Sequence, residues 1–186
     1  NLTDTVGETI DREIGKRTFF GQQYGIGVKK MAKTLGISEE IAEKIVIGFG
    51  ETYSGLCNWM EKLIGNARKN GFVVTAYGRR IYVEFEAAFR AINYYVQGTA
   101  GGILKEAKVK IHQYFKKNKW DAHIVLPIHD ELLIEYGPSV DPKKLDRVVV
   151  SFMQDNPELN MPVKIPVSVS AIGKNWAHKE KINMAG

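Results

Sequence analysis

The apolar pattern of this chain changes character at Asn70-Gly71, and that break restricts the fold classes open to it. Upstream of it, helix signals dominate. Residues 8–24 mix charged and apolar groups until Gly25 and Gly27 interrupt the pattern. Val28, Met31, Ala32 and Leu35 then share one helix side as far as Gly36. Ser38 has the chemistry of an N-cap, with Glu39 and Glu40 in the first turn, where the helix dipole favours anions. Another helix, over about residues 53–69, stops at Asn70-Gly71. Downstream, FVVTAY and RIYVEF flank Gly78-Arg79 and are rich in β-branched and aromatic residues, which predicts a hairpin. Residues 86–119 return to helix, and residues 122–136 predict two strands around a tight polar turn at His129-Asp130-Glu131. Asp141-Pro142 pairs a cap with a proline at the first helical position and opens a helix to about residue 154. Val163, Ile165, Val167 and Val169 alternate with polar residues or Pro166, so a half-buried strand is expected over 163–171. The reading is α+β: a helical part, 1–71, followed by strands with packed helices, 72–186.

Length and composition narrow the class further. With 186 residues the chain makes one large domain or two small ones. A hydrophobic share of 44% with 25% charged residues excludes disorder as a class. No apolar run approaches the roughly 18 residues of a membrane helix, so no membrane partner is expected. Cys57 is the single cysteine, which excludes a disulfide framework within the chain and a cysteine-rich zinc site. The start NLTDTVGETI has neither the basic end nor the apolar core of a secretory signal. An intracellular setting is therefore expected, whether cytoplasm, viral replication complex or organelle. The net charge of +5 is modest but unevenly spread. Residues 63–83 carry Arg68, Lys69, Arg79 and Arg80 with no acid, and residues 105–119 hold six lysines against Glu106 alone. Such stretches suit a polyanion, or are simply solvated faces.

Three groups of residues can carry chemistry. Arg12, Lys16, Phe20 and Tyr24 recur every fourth position. A step of four advances about 400° around a helix, so they form a slowly drifting stripe about 18 Å long. Two cations followed by two aromatics suit a nucleoside triphosphate, with Arg12 and Lys16 toward phosphates and Phe20 and Tyr24 toward sugar and base. The same spacing equally describes an amphipathic helix with rim cations and core aromatics. His129-Asp130-Glu131 places adjacent acids at a strand end, where they can help hold Mg²⁺ or merely form an acidic surface turn. Asn93 and Gln97, before Gly98-Thr99-Ala100, can touch base edges or cap a helix.

Taken in order, these segments form a specific pattern. Arg12-x3-Lys16-x3-Phe20-Gly21-x2-Tyr24-Gly25 resembles the fingers-helix motif B of family A DNA polymerases, the bacterial DNA polymerase I type. Val96-Gln97-Gly98-Thr99-Ala100 is similar to that family's palm-helix signature, and His129-Asp130-Glu131 resembles its motif C. Trp59-Met60-Glu61-Lys62, Gly71-Phe72-Val73-x-Thr75, Tyr77-Gly78-Arg79-Arg80, and Pro162-Val163 through Gly173-x2-Trp176 follow the same order. The resemblance spans nearly the whole chain.

It implies DNA-templated addition of deoxynucleotides to a primer 3′ end by two-metal phosphoryl transfer. Residues 1–71 would be fingers and 72–186 distal palm, the latter an antiparallel sheet with packed helices. Arg12 and Lys16 would hold the triphosphate, with Lys16 also acting catalytically on the leaving pyrophosphate. Phe20 would pack near the sugar and Tyr24 near the templating base. Asp130 would be a catalytic ligand of two Mg²⁺ ions and Glu131 a neighbouring metal-site acid. His129, Asn93, Gln97, Arg79 and Arg80 would contact primer–template DNA.

Departures from the family pattern carry expectations too. The motif A aspartate lies well upstream of motif B in the family, whereas 11 residues precede Arg12 here. A partner segment bearing motif A and the thumb is therefore expected, and this chain alone is expected to be inactive. The 19-residue step from Gly78 to Gln97 is shorter than in bacterial members, Arg90 stands three residues before Asn93, and Pro127 replaces a usual glutamine. Two other readings compete: a DNA-binding module that kept the fold without catalysis, and a single-subunit RNA polymerase. Phe20 and Glu131 favour DNA over RNA synthesis.

Overall fold

The computed structural model describes residues 12–23, 25–172 and 178–182. They form two compact units, residues 1–98 and 99–186, each with its own core. Tyr24, the start of the 8–24 stretch and the Gly173-x2-Trp176 motif lie outside the described residues.

The first unit opens with four helices: α1 (Arg12–Gln23), α2 (Val28–Leu35), α3 (Glu39–Thr52) and α4 (Ser54–Asn70). Their ends are set by local chemistry. Gly36 and Gly71 adopt φ of 70° and 73°, the left-handed conformation that lets a helix stop without a Cβ clash. Ser38 stays extended while its Oγ accepts the Ile41 N–H at 3.2 Å, a cap worth about 1 kcal/mol. Met31 and Ala32 of α2 and Ala42 and Ile45 of α3 form one buried cluster, flanked by Ile26, Val28, Leu35 and Ile37. Gly21 of α1 is buried against it, with Ile26 Cδ1 and Met31 Cε each 3.5 Å from where a Cβ would stand. Phe49 of α3, buried, meets Phe19 of α1 edge-on at 6.0 Å.

After Gly71 the chain forms an antiparallel ribbon, β1 (Phe72–Val74) and β2 (Arg80–Tyr82), in register Phe72↔Tyr82, Val73↔Ile81 and Val74↔Arg80. Val73 faces inward onto Ala67, Val83, Ala88 and Ala91, with Leu63, Ile64, Ile81, Tyr94 and Tyr95 around them. A 3-10 turn (Ala88–Arg90) leads into α5 (Ala91–Lys117), whose early part belongs to this unit.

The second unit is built on the rest of α5. Ala107, Ile111 and Phe115 recur every fourth residue along it and are buried. They share a core with Ala122, Val140, Leu145 and Val149. Burying each of the larger side chains, Ile111, Phe115, Val140, Leu145 and Val149, stabilises by roughly 1.5–3 kcal/mol. The hairpin β3 (Ala122–Ile128) and β4 (Glu131–Tyr136) lays Ile124, Leu132 and Ile134 on this core. Its register shifts between Ile124 and Leu126. Helix α6 (Pro142–Gln154) begins as expected: Asp141 accepts the Lys143 N–H at 3.1 Å and Pro142 occupies the first turn. Burial raises the Asp146 carboxyl above its ordinary range, and the nearby Asp141 carboxylate adds to the effect.

The α+β class holds throughout. One element differs from expectation: the strand foreseen over 163–171 is confined to β5 (Val169–Ile172), which pairs antiparallel with β6 (Lys179–Ile182). Pro166 falls inside the expected strand and lacks the N–H a ladder needs. Alternation of valine and isoleucine marks extended chain, and here only its last part finds a partner strand.

Candidate nucleotide and nucleic-acid site

Helix α1 carries Arg12, Lys16 and Phe20. Lys16 and Phe20 are both exposed, Phe20 at 41%, whereas Thr18 and Gly21 between and beside them are buried. The inward side of α1 is therefore the Thr18–Gly21 side, and Phe20 is not a core aromatic. Phe19 meets the Phe20 ring edge-on at 6.1 Å, which limits the orientations open to it. Among the described residues, the Thr18 hydroxyl is buried with no hydrogen-bond partner.

The Arg79-Arg80 pair sits at the β1–β2 ribbon. The loop before it is cross-braced: Thr75 N–H donates to the Arg79 carbonyl at 2.9 Å, and the Arg79 N–H donates to Thr75 Oγ1 at 3.2 Å. Gly78, at φ 74°, takes the position in this turn that a Cβ would strain. Both arginines are exposed, and the Arg80 guanidinium lies 4.9 Å from the centre of the Phe72 ring. Helix α5 reaches this loop through Gly98. A Cβ there would stand 2.6 Å from Thr75 Cγ2 and 2.8 Å from Ile81 Cδ1. The structure thus brings the Gln97-Gly98 signature against the loop that bears Arg79 and Arg80. Gln97 is exposed and Asn93, one turn earlier, half-buried.

In the second unit, β3 and β4 are joined by the two residues His129 and Asp130, because Ile128 pairs with Glu131. His129 has φ 54°, a conformation usually given to glycine in such turns. A histidine there costs on the order of 1 kcal/mol, and retained strain of this kind clusters at functional sites. His129, Asp130 and Glu131 are all exposed, and the hairpin tip carries two acids consecutive in sequence. Pro127 pairs with Leu132 on a ribbon of two strands, each with an open edge where a missing N–H need not break a ladder bond.

Adjacent carboxylates are hard oxygen donors that suit Mg²⁺ when substrate phosphates and water supply the remaining ligands. Among the described residues no group of three or more His, Cys, Asp or Glu side chains gathers as a metal cage. The donor set therefore fits part of a magnesium site. The α1 residues and the hairpin tip belong to different compact units. Sequence reasoning missed the Gly98–Thr75 contact and the exposure of Tyr82 in the β1–β2 ribbon and of Phe85 after it. The QGTA pattern carried a signal for the first, and YVEF a signal for the second. Among the described residues, no helix is long and apolar enough to cross a membrane.

The model of DNA polymerase family A matches residues 3–178. The DNA polymerase of Mycobacterium phage D29 is 32% identical over 123 residues, covering 66% of this chain and 20% of the relative. A thermostable DNA polymerase I of Thermus filiformis is 31% identical over 175 residues, covering 89% of this chain and 20% of the relative. The chain thus spans about a fifth of the length of these curated relatives. Among solved structures, the POL domain of Pol1 from M. smegmatis, in complex with DNA primer-template and dNTP, aligns with a TM-score of 0.72 and 28% identity. That alignment covers 82% of this chain and 30% of the neighbour.

Proposed function

The chain belongs to DNA polymerase family A, and from that membership we propose that it forms the fingers and distal palm of a DNA-templated DNA polymerase. Residues 1–71 are read as fingers and residues 72–186 as palm. The observation that carries this reading is the hairpin tip: Asp130 and Glu131 stand exposed beside a strained His129 where the family pattern sets motif C.

In this reading Lys16 and Arg12 bind the triphosphate from α1, and the exposed Phe20 ring packs on the sugar. Lys16 meets negative charge that grows on the departing pyrophosphate, the kind of interaction that strengthens in the transition state. Tyr24, four residues beyond Phe20 in sequence, is assigned to the templating base. Asn93 and Gln97 contact the minor groove, whose acceptors recur in every correct base pair. Arg79 and Arg80 bind phosphates, and His129 sits at the primer terminus. Asp130, followed in sequence by Glu131, would supply carboxylate oxygens to Mg²⁺. Magnesium, when bound, would offset charge on the attacking and leaving oxygens of an in-line displacement. The other carboxylate of such a site comes from a segment bearing motif A and the thumb.

The test is incorporation of one labelled deoxynucleotide on a primed template, by residues 1–186 alone and with that segment supplied. The account predicts weak, salt-sensitive binding to primer–template by the chain alone, and synthesis when the segment is added. DNA binding that never yields synthesis in any combination would instead favour a non-catalytic module.

A further inference from the structure

Two helices turn toward solvent a stripe of charge around one apolar side chain, and the two stripes are opposite in sign. On α3 the buried Ala42, Ile45 and Phe49 mark the inward side. Glu43, Ile47 and Glu51 recur every fourth residue on the other side, all exposed, Ile47 at 53%. On α5 the inward side is Ala107, Ile111 and Phe115. Lys105, Val109, His112 and Lys116 follow one another away from it at steps of four, three and four. All four are exposed, Val109 at 56%. Steps of that kind keep a stripe facing one neighbour along a helix. Other charges on these helices are matched within the helix: Lys44 pairs with Glu40 at 2.9 Å and Lys110 with Glu106 at 2.5 Å. Among the described residues no ion pair engages Glu43, Glu51, Lys105 or Lys116, so one stripe stays acidic and the other basic.

From this complementarity we propose that the acidic stripe of α3 on one copy of the chain docks on the basic stripe of α5 on a second copy, with Ile47 against Val109. The spacing suits the pairing. Glu43 and Glu51 each stand about 6 Å along α3 from Ile47. Lys105 stands about 6 Å from Val109 on one side and Lys116 about 10 Å on the other, a difference that a flexible lysine side chain spans. An apolar centre with a charged rim is the ordinary anatomy of a protein contact. A nucleic-acid contact accounts for the lysines, but neither for Val109 among them nor for the matching acidic stripe on α3. Each compact unit carries one of the stripes, so the contact joins unlike faces of two copies. The proposal goes beyond the polymerase reading and uses none of the residues assigned there.

Sedimentation velocity of the 186-residue chain tests it, over a concentration series at low and high salt, before and after nuclease treatment. The parent should self-associate at low salt and return toward monomer as salt screens the charges. Glu43→Lys/Glu51→Lys and Lys105→Glu/Lys116→Glu should each weaken association at least about tenfold, because like charges then face one another. An equimolar mixture of these two variants should associate again, since each reversed stripe meets its complement, and that restoration also shows that both fold. Glu43→Gln/Glu51→Gln keeps the side-chain shape, removes the charge and should weaken association to a smaller degree. A parent that stays monomeric at low salt would overturn the proposal without any variant. Parent association lost on nuclease treatment would overturn it too, because the lysine stripe would then be holding nucleic acid. So would association that the glutamine variant leaves unchanged, whether or not the reversed chains fold.

Discussion

Gly98 lies against Thr75 so closely that a Cβ at position 98 would stand 2.6 Å from the threonine Cγ2. Thr75 cannot easily withdraw, since it is buried and both its N–H and its hydroxyl are bonded to Arg79. Gly98 is thus a packing requirement that couples α5 to the Arg79–Arg80 loop. Gly98→Ala should destabilise the chain by roughly 1–3 kcal/mol through overpacking. Thr75→Ser deletes the clashing methyl, so the double variant should recover part of that loss. Urea denaturation of the four proteins measures the coupling, and purely additive effects would deny the contact.

Phe20 offers no polar atom beside the proposed sugar site. A dideoxynucleotide then leaves an unfilled polar position, which tyrosine at this site would occupy with its own hydroxyl. Phe20→Tyr should therefore raise dideoxy incorporation relative to deoxy in the assembled enzyme. Competition between the two nucleotides on one template measures it. Equal discrimination by both proteins would contradict placing Phe20 at the sugar.

Lys16→Ala should lower nucleotide affinity and turnover together in the assembled enzyme, by a few kcal/mol in the transition state. Single-turnover extension at saturating nucleotide gives the answer. An unchanged rate would leave Lys16 a solvated surface cation.

Asp146 supplies a pH prediction away from the site. Its carboxyl is raised above the ordinary value of 3.8 by burial, with Asp141 adding repulsion. The folded chain therefore holds this proton more tightly than the unfolded chain. Stability from that group is fully present below the unfolded pKa and is lost as pH rises through the folded one. Asp146→Asn should raise the melting temperature at pH 7 and change it less near pH 3. An equal gain at both pH values would exclude the titration as its cause.

Much of the fold is legible because local chemistry punctuates it. Gly36 and Gly71 stop helices, Ser38 and Asp141 start them, and the 107, 111, 115 spacing marks the buried side of α5. The shortened β5 was not legible, since alternation reports extended chain and pairing depends on a distant partner and on prolines. The exposure of Phe20 was not legible from spacing alone. It follows from Thr18 and Gly21 taking the inward side of α1, a tertiary choice made by Ile26 and Met31. The His129-Asp130 turn was legible as a turn, but the left-handed conformation of His129 was not, because glycine is the ordinary sign of it.

The central claim is that Asp130 serves a metal-dependent polymerase centre. Asp130→Asn keeps the size of the side chain and removes the charge that would face two divalent cations. The decisive measurement is single-nucleotide primer extension with Mg²⁺ by residues 1–186 supplied with a motif A and thumb segment, using the parent and the Asp130→Asn chain. The account predicts extension by the parent and essentially none by the variant, while both bind primer–template alike. Extension by the variant at more than about a tenth of the parent rate would contradict it.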